Sequence, residues 1–214
     1  ARTVWQVEKE PYARAVLAKH WPEATRFDDV KTVGAKELEP VSLLCGGFPC
    51  QDLSNAAESV RKQEGLAGAR SGLWWEMHRI ICEIRPQVVV VENVPALITK
   101  GLPAILGALS EAGYNAEWDC ISAASQGAPH QRERFFLIAY TDSPRLKEQW
   151  RPQPDEAKDS PVERCRWWTA EPSVGRVDHG VPRRVDRLRL LGNAVVPQVA
   201  FQVGRRVRDI LSLD

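Results

Sequence analysis

The chain has 214 residues, of which 43% are hydrophobic, and its formal net charge is +1 at pH 7. This length suits one domain with at most a small appendage, and the near-neutral charge gives no bulk electrostatic sign of a nucleic-acid partner. Five cysteines without a CxxC pair argue against a disulfide framework and a structural zinc site, and no signal peptide or membrane span is recognisable, so we expect a soluble cytoplasmic protein without a metal.

Strand-like and helix-like segments alternate along the first 140 residues. The segment at residues 87–91, with four consecutive valines at 88–91, is typical of a parallel strand that is covered on both faces. Such alternation predicts an α/β fold with right-handed crossovers. The predicted strands lie at residues 3–7, 25–27, 41–45, 87–91, 115–122 and 134–140, and the predicted helices at residues 11–20, 72–84, 102–112 and 197–213.

The pattern divides the chain into three parts. Residues 1–140 have the regular α/β pattern, residues 141–187 lose the periodicity in a stretch rich in Pro, Arg and Trp, and residues 188–214 return to a regular pattern. The first residues already look like the middle of an α/β unit. We therefore expect either a fold without the usual opening strand and glycine-rich turn, or a fragment of a longer protein.

The most informative residue is Cys50, which follows the apolar strand at residues 41–45 in the turn Gly-Gly-Phe-Pro-Cys-Gln. Ligands and reactive groups collect at the carboxyl ends of strands in open α/β sheets. A thiol there, with glycines that allow close approach and a rigid proline before it, is consistent with a nucleophile. The alternative is a small apolar residue that closes a buried strand.

Three further motifs carry polar groups to places where strands begin or end. Glu92 follows the strand at 87–91, although a carboxylate there could instead cap the next helix. Arg132 and Arg134, two apart in an extended segment, point the same way and could clamp an anion or a carbonyl, or could be surface charge. Asn193 lies between glycine and proline before the last helix, where it could also be an ordinary cap.

In this order, Phe-Pro-Cys-Gln, Glu-Asn-Val, Gln-Arg-Glu-Arg and Gly-Asn-Ala-Val-Val-Pro resemble the conserved blocks of C5-cytosine DNA methyltransferases. The resemblance runs from residue 7 to residue 199, and residues 180–189 are similar to compact phage or prophage members. It implies a Rossmann-like class I S-adenosylmethionine-dependent methyltransferase fold. Its sheet would be mostly parallel. The resemblance implies that residues 1–140 form the catalytic and cofactor domain, that residues 141–187 form a small irregular target-recognition region, and that residues 188–214 carry the C-terminal motif and helix back to the catalytic domain.

The resemblance assigns the chemistry to four residues. Cys50 would add to C6 of a flipped cytosine, because C5 is a poor nucleophile until C6 is attacked. Glu92 would hold the cytosine N3 and amino group and so make C6 easier to attack. Arg132 and Arg134 match the arginine pair that contacts the cytosine carbonyl oxygen and a nearby phosphate.

The implied methyl donor is S-adenosyl-L-methionine. An acidic residue after the first predicted strand suits its ribose hydroxyls, and Asp29 matches an aspartate near the adenine amino group. Lys9 stands where many relatives have an aromatic residue, and the Phe-x-Gly-x-Gly block that cradles the methionine part is absent, so we expect a missing natural N-terminus and weakened cofactor binding. The implied cofactor residues are Glu8, Lys9, Asp29, Phe48, Pro49, Leu73, Asn193 and Val195.

The implied partner is double-stranded DNA, with a possible cognate restriction endonuclease, in a phage or restriction–modification setting. A base inside a duplex must be extruded to reach such a pocket, and residues 52–71 would form the lid over it. Arginines crowd the C-terminal part, where they could meet phosphates or line a solvated helix face. The implied DNA-binding residues are Gln51, Ser54, Arg61, Lys62, Arg70, Arg164 and Arg166.

Three other interpretations remain open. Without the first block, the chain could be a non-catalytic DNA-binding remnant. It could be a tRNA cytosine-5 methyltransferase, because one small branch of the family modifies tRNA. A cysteine hydrolase that pairs Cys50 with His130 fits the turn and the carboxylate less well.

Overall fold

The computed structural model describes residues 2–49, 72–141 and 192–211. In these ranges, two-residue alternation along the strands and amphipathic helices build an α/β structure. The strands are β1 (Trp5–Val7), β2 (Thr25–Phe27), β3 (Leu43–Gly47), β4 (Val88–Asn93), β5 (Asn115–Ser122) and β6 (Glu133–Tyr140). The α-helices are α1 (Pro11–His20), α2 (Leu73–Ile84), α3 (Leu97–Lys100), α4 (Leu102–Glu111) and α5 (Pro197–Leu211).

The described strands form two sheets. Strands β1 and β2 pair in parallel, and a second sheet has the order β3-β4-β6-β5. In that sheet β3 and β4 are parallel, whereas β6 is antiparallel to both of its neighbours. Strands β3, β4 and β5 thus share one direction, which confirms the predicted α/β class, and β6 is the one antiparallel member of this sheet.

The second sheet is covered on both faces, as the apolar run at 87–91 predicts. Val89 and Val91 of β4 belong to a core cluster with residues of α2 and α4. Val88 and Val90 face the other way and pack with the apolar side of α5. All four valines are buried. The sheet therefore holds the carboxyl end of β4 rigidly between two layers of helices.

The predicted elements agree closely with the observed ones. Strands β3 and β4 extend two residues further than expected, to Gly47 and Asn93, which brings the polar residues at their ends into the ladder. A short helix, α3, precedes the predicted helix α4. Within the described ranges, no helix has both the length and the hydropathy needed to cross a membrane. The three-part division of the chain stays a prediction.

Candidate active site

The site is built where β3 and β4 end side by side. Gly47, the last residue of β3, is the register partner of Glu92 on β4. A Cβ atom on Gly47 would lie 3.0 Å from Glu92 Oε2 and 3.1 Å from Glu92 O, closer than side chains normally approach. Glycine therefore lets the carboxylate lie directly against the neighbouring strand. Cys50, three residues further along, lies outside the described residues.

Asn93 fixes the turn that leads towards Cys50. Its buried side chain donates from Nδ2 to the carbonyl oxygen of Phe48 at 3.3 Å and accepts at Oδ1 from the backbone N–H of Val94 at 2.8 Å. One amide thereby ties the chain after β3 to the end of β4. This holds the Phe48 backbone next to the strand that carries Glu92.

The carboxyl group of Glu92 is partly buried. Burial raises its pKa above the ordinary value, and the positive charges of Arg134 and Arg132 oppose that rise. Arg134 Nε lies 3.1 Å from Glu92 Oε1, and the exposed fractions of the two side chains are 19% and 24%. Burial therefore favours the protonated form of the carboxyl group, while Arg134 stabilises its ionised form.

Arg132 and Arg134 converge on one carbonyl group, as predicted, although Arg132 lies before β6 and is not extended. Because β6 is antiparallel to β4, its first residues lie beside the end of β4. Arg132 donates to the carbonyl oxygens of Gly192 and Ala194, and Arg134 donates to Gly192 O at 3.1 Å. Arg132 has a positive φ of 21°, which is uncommon outside glycine. The pair joins the chain segment before α5 to the Glu92 carboxylate.

That segment carries two of the predicted cofactor residues. Asn193 is exposed, and Val195 is half-buried against the core on the α5 face of the sheet. Both arginines hold the carbonyl group that immediately precedes Asn193. The structure thus brings this motif to the Glu92 end of the sheet, and the roles of the two side chains stay predictions.

A second polar edge lies at the carboxyl ends of β1 and β2. Glu8 Oε1 accepts from the backbone N–H of Glu10 at 2.7 Å, at the entrance to α1. Asp29 Oδ1 accepts from the backbone N–H of Lys31 at 3.0 Å, and this hydrogen bond is the main reason that the Asp29 pKa is lowered. Lys9 Nζ lies 3.5 Å from Asp29 Oδ2. The three predicted residues therefore lie along one edge of the small sheet.

Of the remaining described cofactor candidates, Phe48 and Leu73 lie at the start of α2. Phe48 is buried, with its ring centroid 5.8 Å from that of Trp74, whereas Pro49 is exposed. Leu73, the first residue of α2, packs against the same core cluster. Within the described part of the chain, the fully buried Trp74 Nε1 has no hydrogen-bond partner.

All of the predicted DNA-binding residues lie outside the described ranges: Gln51, Ser54, Arg61, Lys62, Arg70, Arg164 and Arg166. The lid at 52–71 and nearly all of the target-recognition region lie there as well. His130 is described and is exposed. Across the three described ranges, no group of three His, Cys, Asp or Glu residues is placed to hold a metal ion.

The contacts of two arginines, Arg79 and Arg206, were not identified from the sequence. Arg79 on α2 contacts Glu76, Glu83 and two backbone carbonyl oxygens of the segment after β2. Arg206, one of the C-terminal arginines considered as phosphate ligands, instead donates to both oxygens of Glu117, at 2.6 and 2.9 Å. The spacing of three and four residues around Arg79 was a usable signal for its pairs on α2. The contact between residues 117 and 206 could not be predicted from any local sequence pattern.

Comparison with known protein families identifies the family of this chain. The family model for the C-5 cytosine-specific DNA methylase matches residues 1–179. The chain belongs to the C-5 cytosine-specific DNA methylase family. S-adenosyl-L-methionine is the methyl donor of that family.

Curated relatives of this methylase chain include type II methyltransferases. It is 35% identical over 140 residues to M2.BsuMI of Bacillus subtilis (strain 168), a match that covers 62% of this chain and 34% of the relative. It is 28% identical over 160 residues to M.HhaI of Haemophilus parahaemolyticus, covering 73% of this chain and 47% of the relative. The methylase chain thus spans about a third to a half of the length of these relatives.

Solved structures support the fold. The Entamoeba histolytica methyltransferase EhMeth superposes with a TM-score of 0.58 at 17% identity, covering 72% of this chain and 49% of that one. A putative DNA modification methyltransferase encoded within a prophage of E. coli gives a TM-score of 0.51 at 24% identity, covering 64% and 40%. These similarities confirm the predicted methyltransferase fold.

Proposed function

We propose that this methylase chain belongs to an active DNA (cytosine-5)-methyltransferase, which transfers a methyl group from S-adenosyl-L-methionine to C5 of a cytosine flipped out of duplex DNA. The observation that carries the proposal is the Glu92 carboxyl group, which lies against Gly47 at the carboxyl end of β4 and 3.1 Å from Arg134. An acid with a raised pKa beside two arginines suits a pyrimidine ring that offers a nitrogen and a carbonyl oxygen.

The reaction begins with Cys50. Its thiolate forms a bond to C6 as the C5=C6 double bond of cytosine opens, which makes C5 nucleophilic. Glu92 donates a hydrogen bond or its proton to N3 and draws electron density away from C6. C5 takes the methyl group and S-adenosyl-L-homocysteine is left. A base then removes the C5 proton, the bond between sulfur and C6 breaks as the double bond re-forms, and any proton on N3 returns to Glu92.

Arg132 and Arg134 have two tasks in this proposal. Their guanidinium groups face the Glu92 end of β4, where a cytosine carbonyl oxygen gains negative charge as sulfur adds to C6. They also hold the Gly192 carbonyl group and thereby fix the segment that carries Asn193. Substrate polarisation and placement of the cofactor wall are therefore coupled through the same pair.

The residues present fit the adenosine half of the methyl donor. Glu8 and Asp29 bring carboxylate oxygens to one edge, and such acceptors suit ribose hydroxyls and an adenine amino group. Phe48 packs against the ring of Trp74, whose indole N–H has no partner within the described residues, and Leu73 begins the same helix α2. Pro49, next to Phe48 in the chain, is assigned to the same side of the cofactor. When bound, S-adenosyl-L-methionine supplies an electrophilic methyl group.

The DNA contacts are assigned to segments outside the described residues. Residues 52–71 would close over the flipped base and exclude water, and residues 141–187 would read the target sequence. Residues 188–214 then return the chain to the catalytic domain. A DNA substrate implies a cytoplasmic location, and a cognate restriction endonuclease would be the functional partner.

Methyl transfer from labelled S-adenosyl-L-methionine tests the proposal. The full-length protein is incubated with duplex DNA or with tRNA, and genomic DNA from expressing cells is analysed by bisulfite sequencing. We expect label in duplex DNA and protected cytosines within one short sequence. Label in tRNA alone, or DNA binding without any methyl transfer, would contradict the proposed function.

A further inference from the structure

The segment that follows β2 is built around a short 3-10 helix, Val30–Thr32. Asp29 caps this turn through its hydrogen bond from the Lys31 backbone N–H. A turn of three residues cannot satisfy the carbonyl groups at its own end. The carbonyl oxygens of Val30 and Val33 therefore need donors from elsewhere in the protein.

Arg79, in the middle of α2, supplies those donors. Its Nη2 donates to Val30 O at 2.9 Å and to Val33 O at 3.0 Å. Its other nitrogens are held on α2, with Nε 3.0 Å from Glu76 Oε2 and Nη1 2.9 Å from Glu83 Oε1. The guanidinium plane is thus fixed from one side and presented to the turn on the other.

Glu83 makes a second tie to the same segment. Its Oε2 accepts from the backbone N–H of Ala35 at 2.9 Å, while Oε1 binds Arg79. A Cβ atom on the buried Gly34 would lie 2.4 Å from Glu83 Oε2, so glycine leaves room for this carboxylate. The hydrogen bond from Arg79, followed by that from Ala35, lowers the Glu83 pKa and keeps the group ionised.

Helix α2 therefore anchors the turn that contains Asp29, and it also begins with Leu73. Asp29 and Leu73 are both cofactor candidates. We propose that Arg79, together with Glu83, is a positioning residue that fixes the Asp29 turn against α2 and so sets the affinity for the adenosine part of S-adenosyl-L-methionine. This inference rests on the proposed function. Arg79 acts through Asp29 and need not touch the cofactor.

Arginine is required because the four acceptors surround one planar group. A lysine ammonium is a single point with three donors and does not span the two carbonyl oxygens and both carboxylates. The side chains of Arg79 and Glu83 are about one third exposed, at 35% and 34%. Ion pairs this exposed add little to global stability, so their loss should appear in cofactor affinity more than in unfolding.

Calorimetric titration of the full-length protein with S-adenosyl-L-methionine tests this inference, using Arg79→Ala, Arg79→Lys and Glu83→Gln. Loss of the two carbonyl contacts in Arg79→Ala should raise Kd about tenfold. The KM for S-adenosyl-L-methionine should rise in parallel, whereas kcat at saturating cofactor should be unchanged. Arg79→Lys should recover part of the affinity. Arg208→Ala, which removes an exposed arginine on α5, is the control and should bind like the wild type.

The outcomes separate the two proposals. Unchanged Kd in Arg79→Ala and Glu83→Gln, even with a lower melting temperature, would overturn the positioning role alone. If Arg79→Ala does not fold, Arg79→Lys and Glu83→Gln decide by the same affinity measurement. If the wild-type protein does not bind S-adenosyl-L-methionine at all, the proposed function fails, and the positioning role fails with it.

Discussion

Two Glu–Arg pairs that join neighbouring elements in the described ranges differ in a way that distinguishes a candidate catalytic group from a structural contact. Glu117 on β5 and Arg206 on α5 form a bidentate ion pair with N···O distances of 2.6 and 2.9 Å. The exposed fractions of the two side chains are only 9% and 13%. Glu92 and Arg134 meet through a single ion-pair contact at 3.1 Å and are more exposed.

The electrostatic consequences of the two pairs differ too. The hydrogen bond to Glu117 raises the Arg206 pKa, so the ionised pair is favoured. At Glu92, burial raises the carboxyl pKa even though two arginines oppose it. The Glu117–Arg206 pair, in which both carboxylate oxygens accept hydrogen bonds, holds α5 on the sheet. Among the described residues, the Glu92 carboxyl group has only one ion-pair contact, so it is suited to bind a ligand. The comparison predicts opposite phenotypes for the two glutamates.

The largest expected difference is between Glu92→Gln and Glu117→Gln. Glu92→Gln removes the acid that assists C6 addition and should lower kcat about 10²- to 10⁴-fold while the protein stays folded. Glu117→Gln should lower the free energy of unfolding by about 3 kcal/mol, because Arg206 loses its ionic partner, and should leave kcat unchanged well below the melting temperature. Steady-state methyl transfer and urea unfolding measure both effects. Equal loss of kcat in the two variants would remove the distinction.

The arginines provide the next comparison. Arg132→Ala should cost about 2–4 kcal/mol of transition-state stabilisation, by analogy with the loss of one oxyanion donor. Arg205→Ala removes an exposed arginine of α5 and should have a small effect. The ratio kcat/KM for DNA, measured at two salt concentrations, separates catalysis from phosphate attraction. Similar losses in both variants would mean that Arg132 only contacts phosphate.

Two glycine substitutions test the close approach at the end of β3. In Gly47→Ala the new methyl group meets Glu92 at 3.0 Å and should displace the carboxylate, lowering kcat about 10- to 100-fold. Gly107→Ala on α4 is the matched control, because nothing lies within 4 Å of its Cβ position. It should raise the free energy of unfolding by about 0.5–1 kcal/mol and leave kcat unchanged. Full activity in Gly47→Ala would contradict the tight packing against Glu92.

The smallest expected effect is a pH-dependent change in stability. The folded-state pKa of Glu92 is raised, so wild-type stability is lost as pH rises through that value. Glu92→Gln mimics the protonated acid and avoids this loss. The melting temperature of Glu92→Gln relative to wild type should therefore increase between pH 4 and pH 7. A difference that decreases over this range would mean that the native pKa is lowered instead.

Much of this structure follows from local pattern. The valine run at 88–91 predicted a central strand, and the residue that follows such a strand lies at the sheet edge where β3 also ends, so the position of Glu92 was predictable. The sequence also predicted that Arg132 and Arg134 point to the same place, and both donate to Gly192 O. Arg132, however, lies before β6 and has a positive φ, so strand alternation is not the reason.

Other features depend on packing between distant segments, which no local pattern encodes. The antiparallel direction of β6 is set by its chain connections, because an apolar strand looks the same in either direction. Arg206 belonged to a C-terminal group of arginines that could meet phosphates or line a solvated helix face, but 89 residues separate it from the glutamate that it pairs with. The ion pairs of Arg79 within α2 could be predicted from sequence spacing. Its hydrogen bonds to the carbonyl oxygens of Val30 and Val33 could not.

The central claim is that Cys50 bonds transiently to the target base, and duplex DNA containing 5-fluorocytosine tests it directly. Fluorine cannot leave C5 as a proton does, so the adduct should persist after methyl transfer and should be found on Cys50 by peptide mass spectrometry. Cys50→Ala should form none. Cys120→Ala should form it normally, because burial, with help from Glu133 and Asp119, raises the pKa of that thiol to about 11 and leaves it unreactive at neutral pH. A protein that methylates DNA without any trapped adduct, or that traps it through another cysteine, would contradict the account.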